Sequence, residues 1–572
     1  MAAVESARRH SGPGDTGHEM SQAKGESGLD NEESSVGPTA ENEVPRYIHG
    51  WRMYLLTAGI WLSLFLSTLE TTIVSTSLVS ITNALDGFEK RDWIVTSYLL
   101  TYTGFLVVYA KLGDVFGRKT MFLLALALFT LFSILCGATN DIVQLIIFRA
   151  FQGMGASGIY SMIMVIAPTL VPQEKFGKYI AIIASVFAIA SILGPILGGV
   201  ISTNSAWRWI FLLNAPTGCV CIGIVAFCLP SSISSQPDVK FADHLRAKVS
   251  KSALKRVDVV GVVLLLASSI LFVFALEEAG TRYSWSDAVI ITTFTLGGIA
   301  GILFVFWELF LEKSTSLQEP VFPLRLLKNR VLAAMMATAF FTGFPFVPIV
   351  VNIPQRAQAV SGLSPVKAGL ALLPLLLISP LATAASGILT SNFKIPPFYL
   401  ILLGSVLQLI GVGLTCALPT KSFDVSPQQY GYEALMGLGF GLSLTTILTL
   451  APLVIKEPDL GVTMGALTQV RVLGGTISLA ICSTILNNDL RPKLASVISP
   501  SQLRAILDSL SSIDNLAPAQ QTAVRLAFGE GYNKQNIFLT AFSGVSLLTS
   551  LFIWEKKLRR VGREQQVANS QE

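Results

Sequence analysis

The residues that invite chemistry are the few charges lying inside long apolar runs. Glu70 sits in a run opened by Trp51, and Arg149 in the run beginning near residue 142. A charge at bilayer depth is costly, so such a group usually pairs, lines a cavity or relays protons. With the first span expected at 52–79, Glu70 falls about nine residues, or ~14 Å, from its outer end. Arg149 falls about seven residues, or ~10 Å, inside its own. Comparable depth makes a contact or a water-bridged relay between them feasible. Burial raises a carboxylate pKa and a neighbouring guanidinium lowers it, so that balance suits reversible protonation. The alternative is a static ion pair that fixes helix packing. Arg471, in Gln469-Val-Arg-Val-Leu-Gly-Gly475, has no evident partner and either lines a cavity or pairs across the chain.

A second constellation is the loop Ala110-Lys-Leu-Gly-Asp-Val-Phe-Gly-Arg-Lys119. Gly113 and Gly117 permit a tight turn. Asp114 can sit at a helix N-terminus and be stabilised by its dipole. Arg118 and Lys119 suit the headgroup region. In the run 178–202, Ala190, Gly194 and Gly198 recur every fourth residue and share one face. They allow close helix approach, with Pro195 and Gly199 beside them and a bend expected at Pro195. Glu433 is expected to be interfacial, near an outer helix end.

These groups must be positioned by membrane helices. Of 572 residues, 52% are apolar and 13% charged, and mean hydropathy is +0.60. Soluble chains carry about 25% charged residues, so much of this surface faces lipid. Apolar runs long enough for a ~30 Å hydrocarbon core fall near 52–79, 93–110, 120–138, 142–169, 178–202 and 207–229. Two follow near 259–276 and 287–310. Six more lie near 331–352, 367–389, 398–417, 433–452, 464–487 and 537–554. Basic residues concentrate in alternate loops, for example Lys111, Arg118 and Lys119, then Lys175 and Lys178, then Arg246 to Arg256. This bias predicts that both termini are cytosolic. The net charge of +5 follows from that asymmetry, and no nucleic-acid partner is implied. The six cysteines all fall in apolar runs and read as packing residues, with no disulfide framework and no metal site. No Gly-x-x-x-x-Gly-Lys-Ser/Thr loop, Ser-His pair or paired carboxylate at membrane depth suggests ATP use, enzymatic activity or a cofactor.

The expected organisation is a disordered tail at 1–48, a six-helix bundle at 49–230 and a linker at 231–258. Two extra helices follow at 259–310, then a linker at 311–330. A second six-helix bundle spans 331–555, with an outer loop at 488–536, and a tail occupies 556–572. In the outer loop, Leu503, Ile506, Leu507 and Leu510 have helical spacing. One or two short helices over the outer mouth are expected there, as a lid or a passive cap.

The loop 110–119 resembles the signature loop of the major facilitator superfamily, with Ala110 where Gly is usual. The resemblance implies that Gly113, Asp114, Gly117, Arg118 and Lys119 latch the outward-open state. A second copy is expected between helices 10 and 11. There the chain reads Gly387-Ile-Leu-Thr-Ser-Asn-Phe-Lys394, with no acid, a decayed repeat. Three further stretches resemble the fourteen-helix drug:proton antiporter branch: Leu69-Glu-Thr-Thr-Ile-Val74, Phe148-Arg-Ala-Phe-Gln-Gly-Met-Gly155 and Gly194-Pro-Ile-Leu-Gly-Gly199. Trp207-Arg-Trp-Ile-Phe-Leu-Leu-Asn-Ala-Pro216 opens helix 6 in the form this branch shows. The likeness covers about 50–555 and is tightest in the first half.

It implies an all-α integral membrane protein with the major facilitator fold, two six-helix bundles plus two extra central helices. It implies a seal by Ala190, Gly194, Pro195, Gly198 and Gly199 against the opposite half. Cavity positions would include Asn352, Gln355 and Gln358, with Gln469 and Arg471 beside them; Phe340, Phe341, Phe344 and Phe346 are expected mainly to pack. The implied function is export of hydrophobic or amphipathic molecules in exchange for protons, most like fungal multidrug and toxin pumps. The partners would be lipid, protons and small-molecule substrate. A monomer in the plasma membrane is expected, or one in a vacuolar or vesicular membrane. The alternatives are siderophore or vacuolar amino-acid transport on the same fold, or a sensor that no longer transports.

Overall fold

The computed structural model describes residues 50–85, 91–203, 206–230, 255–279, 283–314, 318–420, 423–455, 457–508 and 510–560. The expected disordered tail at 1–48, residues 231–254 of the first linker and residues 561–572 lie outside the described residues.

Short polar signals start and stop the helices. Asp141 caps one helix by accepting from Gln144 N at 3.1 Å, Asp287 another by accepting from Val289 N at 2.9 Å, and Asn329 a third by accepting from Val331 N at 3.0 Å. Each carboxyl or amide oxygen satisfies an N–H that the first helical turn leaves unpaired. Gly117, with φ of 93°, turns the chain where an L side chain would be strained.

The first six helices are α1 (Trp51–Ala84), α2 (Arg91–Phe116), α3 (Arg118–Ala138), α4 (Ile142–Leu170) and α5 (Gln173–Thr203), then α6 (Trp209–Cys228). A central pair follows, α7 (Val259–Glu278) and α8 (Ala288–Lys313). The last six are α9 (Arg330–Ala359), α10 (Lys367–Ser391), α11 (Pro397–Thr415), α12 (Pro427–Val454), α13 (Glu457–Leu494) and α14 (Pro518–Leu551).

The first and last sets repeat one packing scheme. In the first, α1 packs on α5 and α6, α2 on α4, and α3 on α4 and α6. In the last, α9 packs on α13 and α14, α10 on α12, and α11 on α12 and α14. The sets meet where α5 lies along α10 and where α2 and α4 meet α13. The central pair packs mainly on itself, and α7 reaches α2 and α13. Its outward side, including Ile299, Ile302, Phe306 and Phe310, is exposed, as a lipid-facing helix requires.

Thirteen of the described helices are long and apolar enough to cross a membrane. The fourteenth expected span, 537–554, falls in α14, whose first half is polar and which ends at Leu551; Gln535, Ser543, Ser546 and Ser550 are among its buried residues. Several helices outrun their expected ends. Helix α1 has 34 residues and α13 has 38, well beyond the ~20 that span a bilayer.

Most of the expected outer loop 488–536 is therefore helix. The end of α13, a short helix at Pro500–Asp508, a 3-10 turn at Leu510–Asn515 and the start of α14 fold together. Leu490, Leu494, Ile498, Ile506, Ile513, Leu516, Val524 and Phe528 form their shared core, with Leu503 and Leu510 against it. The pattern at 503–510 belongs to residues packed into this core.

Candidate functional site

Glu70 and Arg149 meet directly. Arg149 donates from Nη1 to Glu70 Oε1 at 2.7 Å, and both side chains are 1% exposed. Because α1 runs on to Ala84, Glu70 lies deeper along its helix than the span 52–79 implied. The surrounding groups complete the pair. Asn214 of α6 donates to Glu70 Oε2 at 2.6 Å. Arg149 also donates to the Ile94 carbonyl at 3.1 Å and to Gln152 Oε1 at 2.9 Å. Gln152 in turn donates to Ser133 Oγ at 2.7 Å. The guanidinium lies 4.3 Å from the Tyr98 ring centroid, a cation–π contact, and Tyr98 donates its hydroxyl to the Ser67 carbonyl at 3.1 Å.

Five helices thus converge on one carboxylate. Each of its oxygens has a named donor, and a buried ion pair persists only with such full hydrogen bonding. Asn214 and Gln152 stood inside the quoted motifs with no role assigned. The available signal was an amide side chain in an otherwise apolar helix, which in lipid needs a partner.

The loop 110–119 is placed against the second set. A methyl on Gly461, early in α13, would lie 3.3 Å from each carboxylate oxygen of Asp114. Asp114 therefore faces the positive end of that helix. Arg118 Nη2 stands 3.6 Å from Asp114 Oδ1, and Lys119 donates to the Ala226 carbonyl at 2.7 Å. A Cβ on Gly113 would meet Met162 Cε at 2.8 Å, so α2 lies close against the end of that side chain on α4, which a larger residue would have to displace. Lys111 reaches Glu319, beyond the central pair, at 2.8 Å. Glu319 also accepts from Arg256 Nε at 2.8 Å. Partial burial would raise the Glu319 pKa, but the bonds from Lys111 and Arg256 outweigh it and hold the carboxyl below its ordinary value.

The small-residue face of α5 does not seal against the opposite half at these positions. It seats on α1. Thr72 Oγ1 donates to the Ala190 carbonyl at 3.2 Å, and Ser77 Oγ to the Gly198 carbonyl at 3.1 Å. A Cβ on Gly194 would fall 2.0 Å from Thr72 Oγ1. The surroundings of Pro195 and Gly199 lie outside the described residues. The contact with the opposite half comes elsewhere on α5: a Cβ on Gly387 of α10 would stand 2.3 Å from the Gly177 carbonyl oxygen. Gly387, the first residue of the stretch 387–394, is thus the glycine on which this crossing depends.

Of the five candidate cavity residues, Arg471 alone lines the cavity among α9, α12 and α13. Ala339, Thr342, Leu448 and Thr468 share it, and its ≈ 10 Å³ of space holds about one water. Arg471 also donates to the Tyr160 hydroxyl of α4 at 3.3 Å, which resolves its missing partner as one across the two sets. Gln469 turns to Ser269 of α7 at 3.1 Å. Asn352 donates to Gln535 at 2.9 Å, Gln355 is exposed, and Gln358 lies near the end of α9. The phenylalanines pack: Phe344 stacks on Phe542 of α14 with centroids 4.3 Å apart. Glu433, expected at the interface, is wholly buried and accepts from Gln429 at 2.9 Å. Cys219 is exposed, unlike the packing role expected for it.

Comparison with known proteins agrees with this architecture. A sequence model of the Major Facilitator Superfamily matches residues 60–313. The MFS-type transporter FPY5 of Fusarium mangiferae is 47% identical over 93% of this chain and 88% of its own. The chain belongs to the major facilitator superfamily. Efflux pump FUS6 of Gibberella fujikuroi is 32% identical over 80% of this chain and 79% of its own. Among solved structures, a bacterial homolog of the human lysosomal transporter Spinster superposes with a TM-score of 0.56 at 12% identity, covering 89% of this chain and 100% of that one. That likeness bears on the fold alone. The chain is thus a multi-pass membrane protein of a transporter family.

Proposed function

We propose that this protein exports hydrophobic or amphipathic small molecules in exchange for protons, by alternating access. The observation that carries the reading is the buried Glu70, held between Arg149 and Asn214 where α1, α4 and α6 meet. Reversible protonation of Glu70 would release Arg149 and loosen three helices of the first set at once. The relative from Gibberella fujikuroi named as an efflux pump supports the direction of transport.

The latch works at the other end of the same set. Asp114 at the start of α13 favours contact between α2 and the second set, so Asp114, Arg118 and Lys119 stabilise the state closed on that side. Gly113 and Gly117 let the loop approach closely enough. The cavity at Arg471 holds about one water, while drug-sized ligands need ~300 Å³ or more; substrate entry therefore requires the sets to separate. The excess of Lys and Arg on the latch side supports a cytosolic latch and cytosolic termini, in a monomer of the plasma membrane.

The test is transport in reconstituted vesicles carrying an imposed pH gradient, against a panel of lipophilic compounds. Export should follow the gradient, and Glu70→Gln should abolish the gradient dependence. Gradient-indifferent transport, or normal uphill transport by Glu70→Gln, refutes proton coupling. Asp114→Asn should slow turnover with substrate binding intact; lost binding in a well-expressed variant refutes the latch.

A further inference from the structure

A second pair of acids lies apart from Glu70, where the central helices begin and end. Asp258 caps α7, its Oδ1 accepting from Gly261 N at 2.9 Å and from Trp307 Nε1 at 2.8 Å. Glu308 of α8 accepts from Val321 N through Oε1 at 3.0 Å. Asp258 is 2% exposed and Glu308 0%. A methyl on Gly261 would lie 2.0 Å from Asp258 Oδ2 and 3.0 Å from Glu308 Oε1, so the two carboxyls face each other across the space beside that glycine. Asp258 Oδ2 and Glu308 Oε2 are both buried and have no hydrogen-bond partner among the described residues.

The charges around the pair are already committed. Lys111 of α2 is bonded to Glu319 at 2.8 Å, and Arg256 holds the same carboxylate. Farther along, Glu312 of α8 accepts from Arg325 N at 3.2 Å, and Arg325 pairs with Asp459 of α13 at 3.0 Å. Two buried carboxylates facing each other cannot both ionise without a large penalty. A proton would remove it, because a protonated carboxyl becomes a donor to the oxygen opposite.

We propose that Asp258 and Glu308 form a proton-binding site that holds one proton between them and so keeps residues 318–323 docked on the central helices. The proton comes from water onto one of the two unpartnered oxygens and returns to water when the site empties. On its loss, two negative charges oppose each other, and their repulsion drives Glu308 away from Asp258 and so away from Val321, although the ionised carboxylate is by itself the stronger acceptor. Glu319, two residues before Val321, then loses its placement on Lys111, which lies in the latch loop. The site thus reports pH to the latch independently of Glu70 and of the direction of transport.

The test is hydrogen exchange of the peptide containing Val321, in the full-length protein in lipid nanodiscs, across a pH series corrected for intrinsic exchange. Protection in the wild type should fall at least about tenfold as pH rises, the equivalent of one pKa unit of linkage. Glu308→Gln keeps an acceptor for Val321 and supplies a donor toward Asp258, so its protection should stay high and flat as pH rises above the range in which Glu319 titrates. Asp258→Asn should behave likewise and serves if Glu308→Gln does not fold. Glu70→Gln should retain the wild-type profile, which separates this site from the proposed coupling site. Wild-type protection that is flat with pH overturns the proposal, as does a Glu308→Gln or Asp258→Asn profile that tracks the wild type.

Discussion

Arg149→Met tests the central pair most directly. The guanidinium is 1% exposed and donates to Glu70 at 2.7 Å, to Ile94 O at 3.1 Å and to Gln152 at 2.9 Å. Methionine has similar length but no charge, and Glu70 keeps neutral donors such as Asn214 in place of its cation. Breaking a buried pair by removing one partner typically costs ~3–5 kcal/mol, because the remaining charge is stranded. In the double variant Glu70→Gln/Arg149→Met there is no stranded charge, and the introduced amide oxygen can still accept from Asn214. What remains is the lost donor to Ile94 O and Gln152, worth roughly 1–3 kcal/mol. The double variant should therefore be more stable than Arg149→Met by ~2 kcal/mol. Thermal unfolding in nanodiscs, followed with a thiol-reactive dye, reads this out, since Cys136, Cys221, Cys228 and Cys482 are all buried. The midpoint of the double variant should exceed that of Arg149→Met by a few degrees. If adding Glu70→Gln to Arg149→Met lowers the midpoint further, the two side chains are not a mutually dependent buried pair.

Two further outcomes follow from the geometry. Gly387→Val would drive a side chain into the Gly177 backbone, 2.3 Å from its carbonyl oxygen; backbone cannot turn aside, so the α5–α10 crossing should open at a cost of ~1–3 kcal/mol. Cysteines introduced on either side of that crossing should then cross-link at least several-fold less, and undiminished cross-linking would contradict the close approach. Glu319 bridges Lys111 and Arg256 as a carboxylate held below its ordinary pKa. A depressed carboxylate contributes stability above its unfolded value, lost as pH falls through the folded one. Acidification through the carboxylate range should loosen the bridge, seen as faster exchange near residue 319 below pH ~4. Glu319→Gln should abolish that acid-side change.

Composition and patterning determined the membrane class and nearly all the spans, because lipid imposes a minimum length of apolar helix that is visible residue by residue. They also located Glu70, Arg149 and Asp114, since a charge in such a run stands out. Short helices were expected within 488–536, but the extension of α13 and α14 into that stretch escaped, because hydropathy marks where helices leave lipid, not where they end. Tertiary structure alone decided what each group meets. It turned Ala190, Gly194 and Gly198 onto α1, gave Arg471 the Tyr160 hydroxyl across the two sets, and buried Glu433. Asn214 and Gln152 became partners of the central pair only when α1, α4 and α6 came together. Asp258 and Glu308 belong to two different helices of the central pair, and no local pattern links them. Sequence spacing fixes which residues share a helix face; which face meets which neighbour is set by long-range packing, and there the chemistry of this protein is assembled.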